Sequence, residues 1–139
     1  MSVNYRVTKV KNPKGIEDVE YFAARVAKTS DYSFEDLATD INNSTTVTRA
    51  DALAVLNAAQ PFIEKALLNG QAVVLSGLGR FQISLQGKCY PKETLQSDEF
   101  LPASMIKSHK ILFRAEPKLK KNIAAGISYK RVKGEHDVN

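Results

Sequence analysis

The sequence has little of what several large functional classes require. Its 139 residues contain one cysteine, Cys89, two histidines and no tryptophan. An internal disulfide framework is therefore excluded, and no metal site is indicated. No apolar run approaches the roughly 18 to 20 residues that cross a bilayer, and Met1 to Arg6 contain no apolar signal segment. We expect a cytoplasmic protein without a metal or other cofactor.

A catalytic set is also hard to assemble from this chain. The candidate nucleophiles and bases are Ser76, Cys89, His109 and His136, and their spacing matches no nucleophile–base arrangement. Residues far apart in sequence can still meet in a fold, so the spacing does not exclude an active site. Because no such set is visible in the sequence, an enzyme is the weakest hypothesis, and we expect none.

Positive charge is abundant but unevenly placed. Residues 1–100 carry eleven basic and twelve acidic side chains, whereas residues 101–133 carry nine basic side chains and only Glu116 as an acid. Such a concentration creates a local field that attracts polyanions. A solvated lysine-rich surface without a partner is the alternative interpretation.

The stretch from Val73 to Phe81 predicts a strand, a sharp turn and a second strand. Ala72 to Leu75 is apolar and largely β-branched, as in a strand covered on both faces. Gly77 and Gly79 stand where the backbone must bend or pass close to another element, and a positive φ at Gly79 would be one reason for glycine there. Residues 81–86 then alternate apolar and polar, which indicates a half-buried strand.

Two helices are predicted ahead of this turn. Ser33 with Asp36 marks the start of a short helix, and Thr48 with Asp51 marks the start of a longer one that ends before Gly70. The longer helix has two apolar stripes, which predicts one partner in its own chain and a second that could belong to another chain. Pro61 is expected to bend it. Its outer face has too few basic and amide side chains for a helix-turn-helix recognition helix.

The remaining segments predict further strands and one helix. Residues 3–10 alternate as a strand, a turn follows at Asn12 to Gly15, and residues 19–27 could pair back as a second strand. A long polar excursion follows Gln86, a return strand begins at Met105, and Glu116-Pro117 opens a basic helix that ends at Gly126. In residues 127–133 apolar and polar side chains alternate once more, which predicts a last strand.

Three local matches make the chain resemble the HU and integration host factor family of bacterial DNA-bending proteins. Gly77-Leu78-Gly79-Arg80-Phe81 matches the family's glycine-aromatic-glycine-x-phenylalanine turn, with leucine in place of the aromatic residue. Pro102-Ala103-Ser104 matches the returning arm. Phe113 to Lys118 resembles the start of the last helix. The resemblance runs from about Phe34 to Ala125, and the residues ahead of it resemble an extended HU-like subgroup with extra strands.

The resemblance implies an α+β fold, an intertwined homodimer with a helical base and two β-arms that grip the minor groove of double-stranded DNA. The corresponding division of the chain is an N-terminal β extension at 1–32, an HU-like DNA-binding domain at 33–126 and a tail at 127–139 that forms a strand and then becomes disordered. It implies sequence-tolerant binding in the nucleoid. Whether the dimer bends DNA depends on its arms.

The resemblance also implies the DNA-binding residues by position. They lie at the turn, on the arm, on the returning strand and on the last helix, and they are Arg80, Lys88, Lys92, Lys107, Lys110, Arg114, Lys118 and Lys121. Pro91 is a candidate wedge between base pairs by residue type. The arm departs from the arginine-rich family pattern because Glu93, Asp98 and Glu99 offset its lysines. An HU-shaped module that binds protein, with weak or no DNA binding, is the competing hypothesis.

Overall fold

The computed structural model describes residues 1–134. Its strands are β1 (Val3–Val10), β2 (Tyr21–Val26), β3 (Val73–Leu75), β4 (Gly79–Gln86), β5 (Ser108–Ala115) and β6 (Tyr129–Arg131). Its helices are α1 (Phe34–Ser44), α2 (Arg49–Leu68), α3 (Lys92–Leu95) and α4 (Pro117–Gly126). The mixture of helices and two small sheets is the α+β class that the sequence predicts. Within residues 1–134, no helix is long and apolar enough to span a membrane.

The chain divides into two compact units. The first contains residues 1–32 and the residues from 121 onward, and the second contains residues 33–120. The division falls inside α4, whereas the sequence places a domain limit after residue 126. Part of the predicted tail, residues 135–139 with His136, lies outside the described residues.

The first unit is built on a three-stranded sheet in the order β2-β1-β6. β1 and β2 pair antiparallel around the predicted turn, where the Asn12 side chain accepts hydrogen bonds from the backbone N–H groups of Lys14 and Gly15. β6 lies parallel to β1, with Val3 opposite Tyr129. The two predicted N-terminal strands and the predicted last strand are therefore confirmed, and the sheet joins Val3 to Tyr129, which are far apart in sequence.

The second unit begins with two packed helices whose starts the sequence predicts correctly. Ser33 and Asp36 form a capping box at α1, and the Thr48 hydroxyl accepts the Asp51 N–H at α2. One apolar stripe of α2 is half-buried, and its members are Leu53, Leu56, Ile63 and Leu67. The second stripe is Val55, Ala59, Phe62 and Ala66; its two large members are open, with Val55 68% and Phe62 73% exposed, and its alanines are half-buried. Pro61 lies inside α2, and the bend expected there remains a prediction.

The second unit ends in a sheet ordered β3-β4-β5. The prediction that β3 is covered on both faces is wrong for the single chain, because β3 is an edge strand and Val74 is 64% exposed. Gly77 forms the turn with a φ of 83°. Gly79 does not have a positive φ; it is glycine because an added Cβ would lie 2.3 Å from the Arg114 carbonyl oxygen. The bend and the close approach predicted for this pair are both present.

The connection between β4 and β5 is not a pair of extended strands. Strand pairing stops at Gln86 opposite Ser108. The intervening residues contain α3 and a 3-10 turn at Pro102–Met105, so the return strand starts three residues later than predicted. The ring centroids of Tyr90 and Phe100 lie 5.2 Å apart, so the two rings pack against each other within this segment. Apolar ring packing and local helical hydrogen bonds replace the arm that the resemblance implies.

Candidate nucleic-acid interface

The β3-β4-β5 sheet has one apolar and one basic face, because side chains alternate along paired strands. Phe81 and Phe113 are direct partners on the apolar face, with ring centroids 4.8 Å apart. Arg80 and Arg114 are direct partners on the opposite face. Lys110 lies on that same face, opposite Ser84. None of the three strands contains an acidic residue.

The Arg80–Arg114 pair is the electrostatic centre of this face. Side chains at directly opposed positions have Cβ atoms about 4.5 to 5.5 Å apart, and like charges there destabilise the sheet. Both arginines are exposed, and neither forms an ion pair within residues 1–134. They border a shallow groove of ≈ 410 Å³ together with Ser76 and Glu116. An anion bound there would relieve the repulsion between the two guanidinium groups.

Glu116 fixes the turn that presents Arg80. Its carboxylate oxygen Oε2 accepts a hydrogen bond from the Gly77 N–H at 2.5 Å, and its own N–H donates to the Leu78 carbonyl at 2.9 Å. The carboxylate therefore holds the turn, and no ion pair joins it to Arg80 or Arg114 among the described residues. Sequence reasoning treated this residue only as the start of a helix, although its position as the lone acid among nine basic residues was a usable signal.

Helix α4 supplies the next basic residues. Lys118 lies in its first turn, and Lys121 follows three residues later on the same side of the helix. The first turn of α4 contains no acidic residue. Positive side chains near a helix N-terminus oppose the helix dipole, and a bound anion compensates for both.

The other four predicted site residues are dispersed. Lys107 lies just before β5, where its N–H donates to the Gln86 carbonyl, and strand alternation would put it on the face opposite Lys110. Lys88 and Lys92 lie in the connection, and Pro91 is the exposed residue preceding α3. The structure thus gathers Arg80, Lys110 and Arg114 on one sheet face and puts Lys118 and Lys121 on α4. Residues 1–134 contain no cluster of three or more side chains suited to a metal ion.

Comparison with known proteins extends this description. A family model described as an HU domain fused to a winged helix-turn-helix, Ig or glycine-rich motif matches residues 1–131. No curated protein matches the sequence. A candidate bacterial DNA-binding protein from Bacteroides vulgatus is similar in structure, with a TM-score of 0.58 and 14% identity over 95% of this chain and 49% of that chain. This chain spans about half of that protein's length.

A second solved structure, an Anabaena HU protein crystallised with DNA, is less similar. Its TM-score is 0.48, with 23% identity over 66% of this chain and 97% of that chain. The likeness to the Bacteroides structure concerns the fold, and the match along residues 1–131 concerns family membership.

Proposed function

Because this chain belongs to the family of HU domains fused to other motifs, we propose that it binds double-stranded DNA through the basic face of the β3-β4-β5 sheet. The contacts are to phosphates, so binding depends little on sequence. The observation that carries the proposal is the Arg80–Arg114 pair. A directly opposed pair of arginines costs folding free energy in the free protein, and a phosphate diester recovers it on binding.

Further basic residues support a polyanion rather than a small ligand. Lys110 extends the basic face along β5, and Lys118 and Lys121 continue the basic sequence on α4. The residues are exposed on an open surface, whereas small-molecule sites are concave and mostly apolar. An extended chain of phosphates fits long, solvated side chains of this kind. A DNA ligand places the protein at the nucleoid of a bacterial cell.

We propose further that the binding species is a homodimer. Within residues 1–134 only Ala38 and Ala52 are buried apolar residues, and the second unit leaves large side chains open on α2 and on the apolar sheet face. The exposed fractions reach 73% at Phe62, 61% at Ile111 and 50% at Phe113. A soluble protein rarely exposes so many large apolar groups, and a second copy would cover them.

DNA bending is the remaining part of the proposal. The connection is compact and carries Glu93, Asp98 and Glu99, which weakens its attraction to phosphate. Pro91 is the apolar residue there that could enter between base pairs. Pro91→Ser should reduce bending, measured by energy transfer between dyes at the two ends of a short duplex, while leaving affinity nearly unchanged. An unchanged end-to-end distance would remove Pro91 as the wedge.

The test of DNA binding compares two charge-matched variants. Arg80→Gln with Arg114→Gln should weaken binding to unrelated duplexes alike. The slope of log K against log[salt] should become shallower by about 1.8 per protomer, since each phosphate contact contributes about 0.9. Lys14→Gln with Lys65→Gln removes the same charge elsewhere and should change the slope little. Equal effects in both variants, measured by fluorescence anisotropy, would contradict the assigned face.

A further inference from the structure

The N-terminal sheet repeats the arrangement of opposed arginines in the other unit. On β1 and β2, Arg6 lies directly opposite Arg25. On the other side of β1, Lys130 of β6 lies opposite Asn4. Since residues 4, 6, 25 and 130 share one face by strand alternation, the three basic side chains form one cluster, here called the N-terminal basic face.

The strands that carry this face supply no negative charge. Strands β1, β2 and β6 contain no acidic residue. Arg6, Arg25 and Lys130 are exposed, and none of them forms an ion pair within residues 1–134. By contrast, Lys9 and Lys28 are paired with Glu20 and Asp31. Of the five basic residues in these three strands, Arg6, Arg25 and Lys130 thus share one face, and Lys9 and Arg131 lie on the other.

Sequence alone could not show this cluster. Arg6 and Arg25 are separated by the turn and by acidic residues that nearly cancel the local charge, and Lys130 is more than 100 residues further along. Only the antiparallel register of β1 with β2 and the parallel register of β1 with β6 bring them together. The repulsion between Arg6 and Arg25 costs stability in the free protein, as it does for Arg80 and Arg114.

We propose that the N-terminal basic face is a second DNA-binding surface, in addition to the face that carries Arg80 and Arg114. Adjacent strands are about 4.8 Å apart, so the three charges span roughly 10 Å across the sheet. Duplex DNA carries one negative charge per about 1.7 Å of axis, so several phosphates lie within that width. The other residues in strand positions on this face are Asn4, Thr8, Val10, Tyr21 and Ala23, and the polar Asn4 and Thr8 flank Arg6 along β1.

This second surface rests on the proposed DNA binding, and the experiment separates the two. The variant Arg6→Gln, Arg25→Gln, Lys130→Gln should lower affinity for a long duplex at least about tenfold at 100 mM salt and make the salt slope shallower by about 2.7 per protomer. The control Lys11→Gln, Lys14→Gln, Lys28→Gln removes the same charge from loops of the same unit. We expect it to change the slope by less than one.

A readout of stability distinguishes binding from a structural role. Neutralising opposed arginines removes repulsion, so the thermal midpoint of the triple variant should stay equal or rise while DNA affinity falls. Arg6→Lys with Arg25→Lys keeps the charge and should retain the wild-type slope. A lowered midpoint accompanied by lost affinity in both arginine variants would assign the arginines a structural role and overturn the proposal.

The remaining outcomes are also decisive. If the wild-type chain binds no DNA, both the proposed function and the second surface fail. If it binds and the triple variant keeps the wild-type slope, only the second surface fails. If the triple variant loses the wild type's binding to phosphatidylserine-containing vesicles and keeps its DNA binding, the face is assigned to a membrane and the proposal is overturned.

Discussion

At the scale of single residues, the turn before β4 shows how few atoms position the basic face. Gly77 bends the backbone, Gly79 passes against β5, and Glu116 holds the turn through two hydrogen bonds. Arg80 follows immediately and therefore stands opposite Arg114. A substitution at Gly77, Gly79 or Glu116 should therefore alter the basic face although both arginines are kept.

Gly79→Ala should lower the free energy of unfolding by about 1 to 3 kcal/mol, because the methyl group would overlap the Arg114 carbonyl and the Phe113 ring. Urea unfolding at a fixed protein concentration measures the change. Gly126→Ala is the control, since nothing lies within 4 Å of the Cβ it would add. If Gly79→Ala unfolds at the wild-type urea concentration, β4 and β5 are not in such close contact.

Glu116→Gln should lower the free energy of unfolding by roughly 0.5 to 1.5 kcal/mol. The amide replaces a charge-assisted acceptor for the Gly77 N–H with a neutral one. Glu99→Gln, an exposed position in the connection, serves as the control in the same urea assay. Equal stability of the two variants would show that the carboxylate is not needed to hold the turn.

At the scale of elements, local chemistry explains most of what the sequence predicts correctly. The caps at Ser33 and Thr48 and the turn at Gly77 depend on neighbours within a few residues, so their pattern is visible in the sequence. Register is not visible there, which is why the Arg6–Arg25 pair was missed. The compact connection after Gln86 was also missed, because its ring packing depends on residues ten apart.

Asp36 gives α1 a pH dependence whose sign follows from its hydrogen bonds. The Ser33 backbone N–H and then the Ser33 hydroxyl donate to its carboxylate, and with a smaller contribution from Arg49 they lower the pKa of Asp36 below 3.8. The stabilisation is therefore complete above about pH 4 and is lost as the pH falls through the lowered pKa.

Asp36→Asn should accordingly be less stable than wild type at pH 7 and closer to it below pH 3. Thermal unfolding followed by circular dichroism from pH 2 to 7 measures both. Asp98→Asn, an exposed position in the connection between β4 and β5, is the comparison variant. A constant difference between wild type and Asp36→Asn at every pH would rule out the capping carboxylate as the cause.

At the scale of the whole molecule, the exposed apolar stripe of α2 should determine the oligomeric state. Phe62→Asp should raise the dimer dissociation constant by more than about 100-fold. A symmetric interface loses the side chain twice, at about 1.5 to 3 kcal/mol each. Sedimentation equilibrium measures this. Because Phe62 is 73% exposed in the single chain, the protomer itself loses little packing.

The matched control is Ala54→Asp, which puts the same charge on an exposed position outside both stripes of α2. It should sediment as the wild type does. If wild type and Phe62→Asp are both monomers at high concentration, the exposed stripe has another role and the homodimer proposal fails.

The parallel pairing of β1 with β6 has a consequence for the order in which the chain acquires its structure. During synthesis from the N-terminus, the β1–β2 hairpin emerges early, but its third strand is made only after the whole second unit. Pairing β6 with β1 closes a loop that contains the whole second unit, and the entropy cost of that closure comes before any stabilising contact forms. The N-terminal sheet should therefore be completed last, after the helices of the second unit have formed.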